Sequence, residues 1–133
     1  MKLYVFGNPE VESDNNAIKT SEKLKRNFTE IEFIYVKINE DLPFIGEENV
    51  VLMDVIEGLE EVKVLSEKAF SKLLLGPRNS VHDFDLGFQL KYLNKIGKLN
   101  KVTIIGLPML HEVNYNSVQS ILRKLVAQDI QGS

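Results

Sequence analysis

Cysteine is absent from this 133-residue chain, which excludes disulfide staples, thiolate metal sites and a cysteine nucleophile together. Any metal must therefore be held by oxygen and imidazole, and only two histidines, His82 and His111, are present to supply the latter. No uninterrupted apolar stretch approaches the ~20 residues that a membrane helix needs. The opening Met1-Lys2-Leu3-Tyr4-Val5 runs straight into a strand pattern rather than a signal peptide, so the expectation is a cytoplasmic protein with no membrane partner. An excess of positive charge is also missing: the net charge of -3 leaves no basic footprint for nucleic acid. Equally absent are the spaced glycines of a dinucleotide fingerprint, a Gly-Lys-Ser/Thr phosphate loop and a serine in a nucleophile-elbow context.

What is present is ordinary for a globular chain, with 44% hydrophobic and 26% charged residues. The length suits one domain, expected over 1–127, followed by a disordered polar tail over 128–133. Lys2 to Gly7 is an apolar, β-rich run broken by Gly7-Asn8-Pro9. Ala17, Ile18, Leu24 and Phe28 recur at helical intervals behind a Ser13-Asp14 cap signal, which predicts a helix over about 14–27. Strands follow at 31–38 and at 49–55, the second so continuously apolar that both of its faces should be covered. Residues 61–65 alternate charge and valine like an antiparallel edge strand. A short helix over 66–75 and a long one over 83–96, closed by Gly97, precede a strand at 102–107 and a final helix capped by Asn116 or Ser117. This order predicts an α/β three-layer sandwich: a mostly parallel twisted sheet of about five strands, with helices on both faces.

Three metal-competent side chains stand at comparable places in that scheme. Asp14 follows the first strand, Asp54 ends the apolar run Val50-Val51-Leu52-Met53, and His82 opens the second long helix. In an open α/β sheet the loops leaving the carboxyl ends of the strands share one rim, so residues distant in sequence meet there. Taken singly, Asp14 reads as a helix cap and His82 as a helix-start residue. Asp54 is less easily explained, because a carboxylate terminating a buried strand has few structural roles. Together they form an oxygen, oxygen, nitrogen set with open positions for a divalent first-row metal that takes further ligands from a partner. They should then converge to within roughly 5–8 Å beside a solvent-open cleft. Asp83 and Asp85 begin the helix, Glu10 and Glu12 are solvated loop acids, and His111 is a loop residue after the last strand, on the same rim.

These residues resemble the NiFe-hydrogenase maturation endopeptidases. The resemblance lies in Val5-Phe6-Gly7-Asn8-Pro9-Glu10-Val11-Glu12-Ser13-Asp14, in Val50-Val51-Leu52-Met53-Asp54, in Ser80-Val81-His82-Asp83-Phe84-Asp85-Leu86-Gly87 and in Ile104-Ile105-Gly106-Leu107-Pro108. Four short motifs in the same order span most of the chain. Where the family has glycines after its first acidic pair, this chain has Asn15, Asn16 and Ala17.

The resemblance implies an endopeptidase that removes the C-terminal extension of a hydrogenase large-subunit precursor once nickel has been inserted. Asp14, Asp54 and His82 would be both the metal-binding and the catalytic residues. The nickel would be carried by the substrate, no tightly bound cofactor is expected, and the enzyme would act as a monomer. Two other readings compete. One is a non-catalytic binding or chaperone module of the same fold, motivated by the replaced glycines. The other is a response-regulator receiver domain with Asp54 as phospho-acceptor, although Gly7-Asn8-Pro9 stands where that family has an acidic pair and Leu107 where it has a lysine.

Overall fold

In a computed structural model of the chain, the residues described are 1–6, 16–36, 47, 49–56, 58–66, 101–109 and 111–132. They form β1 (Lys2–Phe6), α1 (Asn16–Leu24), a 3-10 turn (Lys25–Asn27), β2 (Glu32–Val36), β3 (Asn49–Ile56), β4 (Lys63–Ser66), β5 (Lys101–Pro108) and α2 (Tyr115–Gly132). The five strands make one sheet in the order β2-β1-β3-β5-β4. The pairs β1–β2, β1–β3 and β3–β5 are parallel, and β4–β5 is antiparallel. The expected α/β class, mostly parallel sheet and antiparallel edge strand are all found.

Alternation along the strands splits the core in two. Leu3, Val5, Met53, Val55, Ile105 and Leu107 pack against Ala17 and Leu24 of α1 and against Val118 and Leu122 of α2. Tyr4, Phe6, Leu52, Ile56 and Ile104 point the other way, with Leu59 and Val36. Both described helices thus lie on one face, whereas helices were expected on both. The helices predicted over 66–75 and 83–96 fall outside the described residues, apart from Ser66, which ends β4.

Gly58 explains how the edge strand reverses. Its φ of 94° lies in the left-handed region that glycine enters without Cβ strain. This turn carries the chain from β3 across to the far side of β5. Its neighbour Leu59 then folds onto the second core cluster.

Three boundaries differ from expectation. Helix α1 loses its regular form at Leu24 and tightens into the 3-10 turn, closed by the Phe28 amide donating to the Lys25 carbonyl at 3.2 Å. Helix α2 is capped by neither Asn116 nor Ser117: the Ser117 amide donates to Asn114 Oδ1 at 3.2 Å and to its carbonyl at 3.1 Å. Residues 128–132, expected as part of a disordered tail, continue α2 to Gly132. Leu125 and Val126 hold the helix on the core, and Asp129 lies 3.7 Å from the amino terminus of Met1. No helix breaker intervenes before Gly132.

Candidate functional site at the carboxyl rim of the sheet

The chain leaves β1 toward β2 on one side and β3 toward β5 on the other, so the strand order reverses between β1 and β3. Ligands of open α/β sheets bind beyond the carboxyl ends of the strands at such a reversal. Asp54 occupies that end of β3, two residues before its last, opposite Gly106 of β5 in register. It shares a face with Leu52 and Ile56 and is 0% exposed, within a strand whose other late residues are also buried. Its Oδ1 accepts the Val55 amide at 2.8 Å, which fixes the carboxylate plane against its own strand.

The burial of Asp54 departs from the solvent-open position expected of it. Part of the reason is on β5. A Cβ at Gly106 would lie 2.7 Å from Ile56 Cδ1 and 2.8 Å from Leu59 Cδ1, so the bare backbone there lets both side chains close over the sheet beside Asp54.

The other proposed ligands, Asp14 and His82, lie outside the described residues, as do Glu10, Glu12, Asp83 and Asp85. Among the described residues no group of three His, Asp or Glu side chains is placed to hold a metal ion. His111 is described: it is exposed in the connection between β5 and α2, after the carboxyl end of β5.

One rim residue was not anticipated. Asn16, the first residue of α1, donates from Nδ2 to the Pro108 carbonyl at 2.9 Å. Pro108 ends β5 and lies beyond the last β4 pair, which joins Lys63 to Gly106, so the edge strand does not use that carbonyl. The only sequence signal was negative: an asparagine in place of a family glycine.

A cavity of about 400 Å³ lies at the opposite rim, lined by Met1, Asn49, Lys101, Leu125 and Asp129 among others. Its Glu47 is already engaged, accepting the Tyr4 hydroxyl and lying 3.5 Å from Lys2 Nζ. Being at the amino ends of the strands, it is not where this class of sheet binds ligands.

The topology also bears on the receiver reading. A receiver has the strand order 2-1-3-4-5, whereas here the outermost strand is β4, and it is antiparallel. None of the described helices is long and apolar enough to cross a membrane.

No family model matches the chain, and no curated protein matches it significantly. Solved structures do match. Hydrogenase maturating endopeptidase HybD from E. coli aligns with a TM-score of 0.60 at 15% identity, covering 99% of this chain and 91% of that one. A solution structure of an endopeptidase from Escherichia coli gives 0.60 at 16%, covering 96% and 89%. The NiFe hydrogenase maturation protease HybD from Thermococcus kodakarensis gives 0.55 at 18%, covering 98% of each chain. At such identities the likeness speaks for architecture, and over nearly its whole length this chain has the fold of hydrogenase maturation endopeptidases.

Proposed function

We propose that this protein is an endopeptidase that removes the C-terminal extension of a NiFe-hydrogenase large-subunit precursor after nickel insertion. It reads the substrate's nickel through Asp14, Asp54 and His82. The observation that carries the proposal is Asp54, a carboxylate sealed into the carboxyl end of a central strand, beside the strand-order reversal of a fold shared along its length with named maturation endopeptidases. A buried acid is costly to desolvate, and a role as ligand to an incoming cation accounts for keeping one at this strand end.

Because β4 runs antiparallel to β5, Ser66 and Lys101 both stand at the amino-end rim, and the assignment of His82 to the site rests on the sequence resemblance alone. Asp14 precedes Asn16 by two residues, and Asn16 is tied to the carboxyl end of β5.

On this reading the substrate's nickel completes its coordination with two carboxylates and an imidazole, which docks the scissile bond and reports that the precursor is loaded. Water adds to the scissile carbonyl, the C–N bond breaks and a proton passes to the departing amine. The carboxylates and the imidazole are the groups of this set able to take and return that proton. The protein works as a monomer in the cytoplasm and holds no metal tightly by itself.

The test follows precursor mass. Nickel-loaded and nickel-free precursor are each incubated with wild-type protein, with His82→Ala and with Asp54→Asn, which keeps an oxygen acceptor for the Val55 amide. Trimming should occur only with nickel, and each variant should lose ~100-fold or more in rate while remaining folded. Binding of loaded precursor with no change in its length would replace proteolysis with the chaperone reading.

A further inference from the structure

We infer that Asn16 is a positioning residue for the site proposed above: its carboxamide pins the start of α1 to the carboxyl end of β5 and so fixes the helix against the rim where Asp54 stands near the end of its strand. The inference rests on that functional reading.

Asn16 is the first helical residue of α1, one position past the cap. It sends its Nδ2 donor across 92 residues of sequence to the Pro108 carbonyl, at 2.9 Å. The acceptor marks a structural corner. Pro108 is the last residue of β5, paired in register with Ile56 at the end of β3 and past the reach of β4. After it the chain enters the connection that carries exposed His111 and is closed again by the Asn114 cap of α2. One amide thus joins the segment entering α1 to a connection anchored at both ends.

The donor must be the amino group, since within a carboxamide only the nitrogen carries hydrogen. Glycine, which the resembled family has in this region, offers no side chain for such a link. A ligand set spread over several loops tolerates little drift, because displacement of ~1 Å at a reacting centre can cost ~100-fold in rate.

Two substitutions separate positioning from simple support. Asn16→Ala deletes the link. Asn16→Asp keeps the shape, replaces the donor with an oxygen that repels the Pro108 carbonyl, and adds a first-turn acid, which favours the helix. With nickel-loaded precursor, both variants should lose about 10-fold or more in kcat with KM within about twofold. The thermal midpoint of Asn16→Asp should equal or exceed that of wild type, and Asn16→Gln, which retains the amino donor, should recover part of the rate. Wild-type trimming together with unchanged kcat in Asn16→Asp would overturn the role of Asn16 and leave the protease reading standing. A wild-type protein that trims neither form of the precursor would remove both. Should Asn16→Ala fail to fold, the Asp and Gln pair decides the matter.

Discussion

Buried polar side chains are few among the described residues, and two of them carry opposite meanings. Asp54 engages the Val55 amide at a strand end where ligands of this fold class bind. Thr20, in the middle of α1 and equally shielded, has no hydrogen-bond partner for its hydroxyl among the described residues. A desolvated hydroxyl costs free energy without return. Thr20→Val keeps the branched shape and the helical rotamer restriction while removing that cost. It should raise stability by about 1 kcal/mol, a rise of roughly 3 °C in the thermal midpoint. Calorimetry of the two proteins is sufficient, and an unchanged or lower midpoint would mean that the hydroxyl is satisfied, for example by a buried water. The same division by residue governs how much of the site could be read beforehand. The place of Asp54 at a strand end was legible because an acid ending an apolar run contradicts its surroundings; its role remains a proposal. Asn16 was not legible, because its contact with Pro108 is far off in sequence and nothing in the helical pattern marks it.

Between elements, the edge strand β2 is fastened to α1 through a surface cluster. The Tyr35 hydroxyl donates to Glu22 Oε1 at 2.7 Å, and Lys25 Nζ lies 2.8 Å from Glu22 Oε2. The hydrogen bond from Lys25, and after it that from Tyr35, hold the Glu22 carboxyl below its ordinary value. A carboxyl depressed in the folded state adds stability above its unfolded value, and that contribution disappears as pH falls through the folded one. The pair is exposed, so the effect is small and screened by salt. The midpoint difference between wild type and Glu22→Gln should stay constant above about pH 5 and close below about pH 4; a difference that widens in acid would contradict the arrangement. The cluster was not visible in the sequence, although the elements it joins were. β3 and β5, expected at 49–55 and 102–107, are found at Asn49–Ile56 and Lys101–Pro108, because near-continuous apolar runs admit little else in a central parallel strand. Boundaries set by particular side-chain contacts were misjudged. The start of α2 is decided by the Asn114 side chain, and its extension through 128–132 by the docking of Leu125 and Val126 on the core.

For the molecule as a whole, the proposed function turns on which rim of the sheet faces a cation. The eight-residue strands β3 and β5 hold the two rims about 20–25 Å apart at ~3.3 Å per residue. That separation is ample for a paramagnetic ion to distinguish them. Acids exist at both ends: Asp54 at the carboxyl rim, and Glu47 and Asp129 around the cavity at the other. The amino-rim acids are neutralised by Lys2 and by the amino terminus at 3.5 and 3.7 Å, and a cation binding there would have to displace ammonium groups. A ligand set spread over loops, lacking the partner's contribution, binds a metal weakly, so the ion is best supplied in excess. During such a titration with Mn²⁺, amide resonances of Asn16, Val55 and Leu107 should broaden first, while those of Lys2, Asn49 and Lys101 stay sharp. His82→Ala should abolish the selective broadening, because the imidazole is the one nitrogen donor of the proposed set. Broadening centred on Glu47 and Asp129 would place the cation at the wrong end of the sheet, and nickel recognition by this fold would then have to be abandoned for this chain.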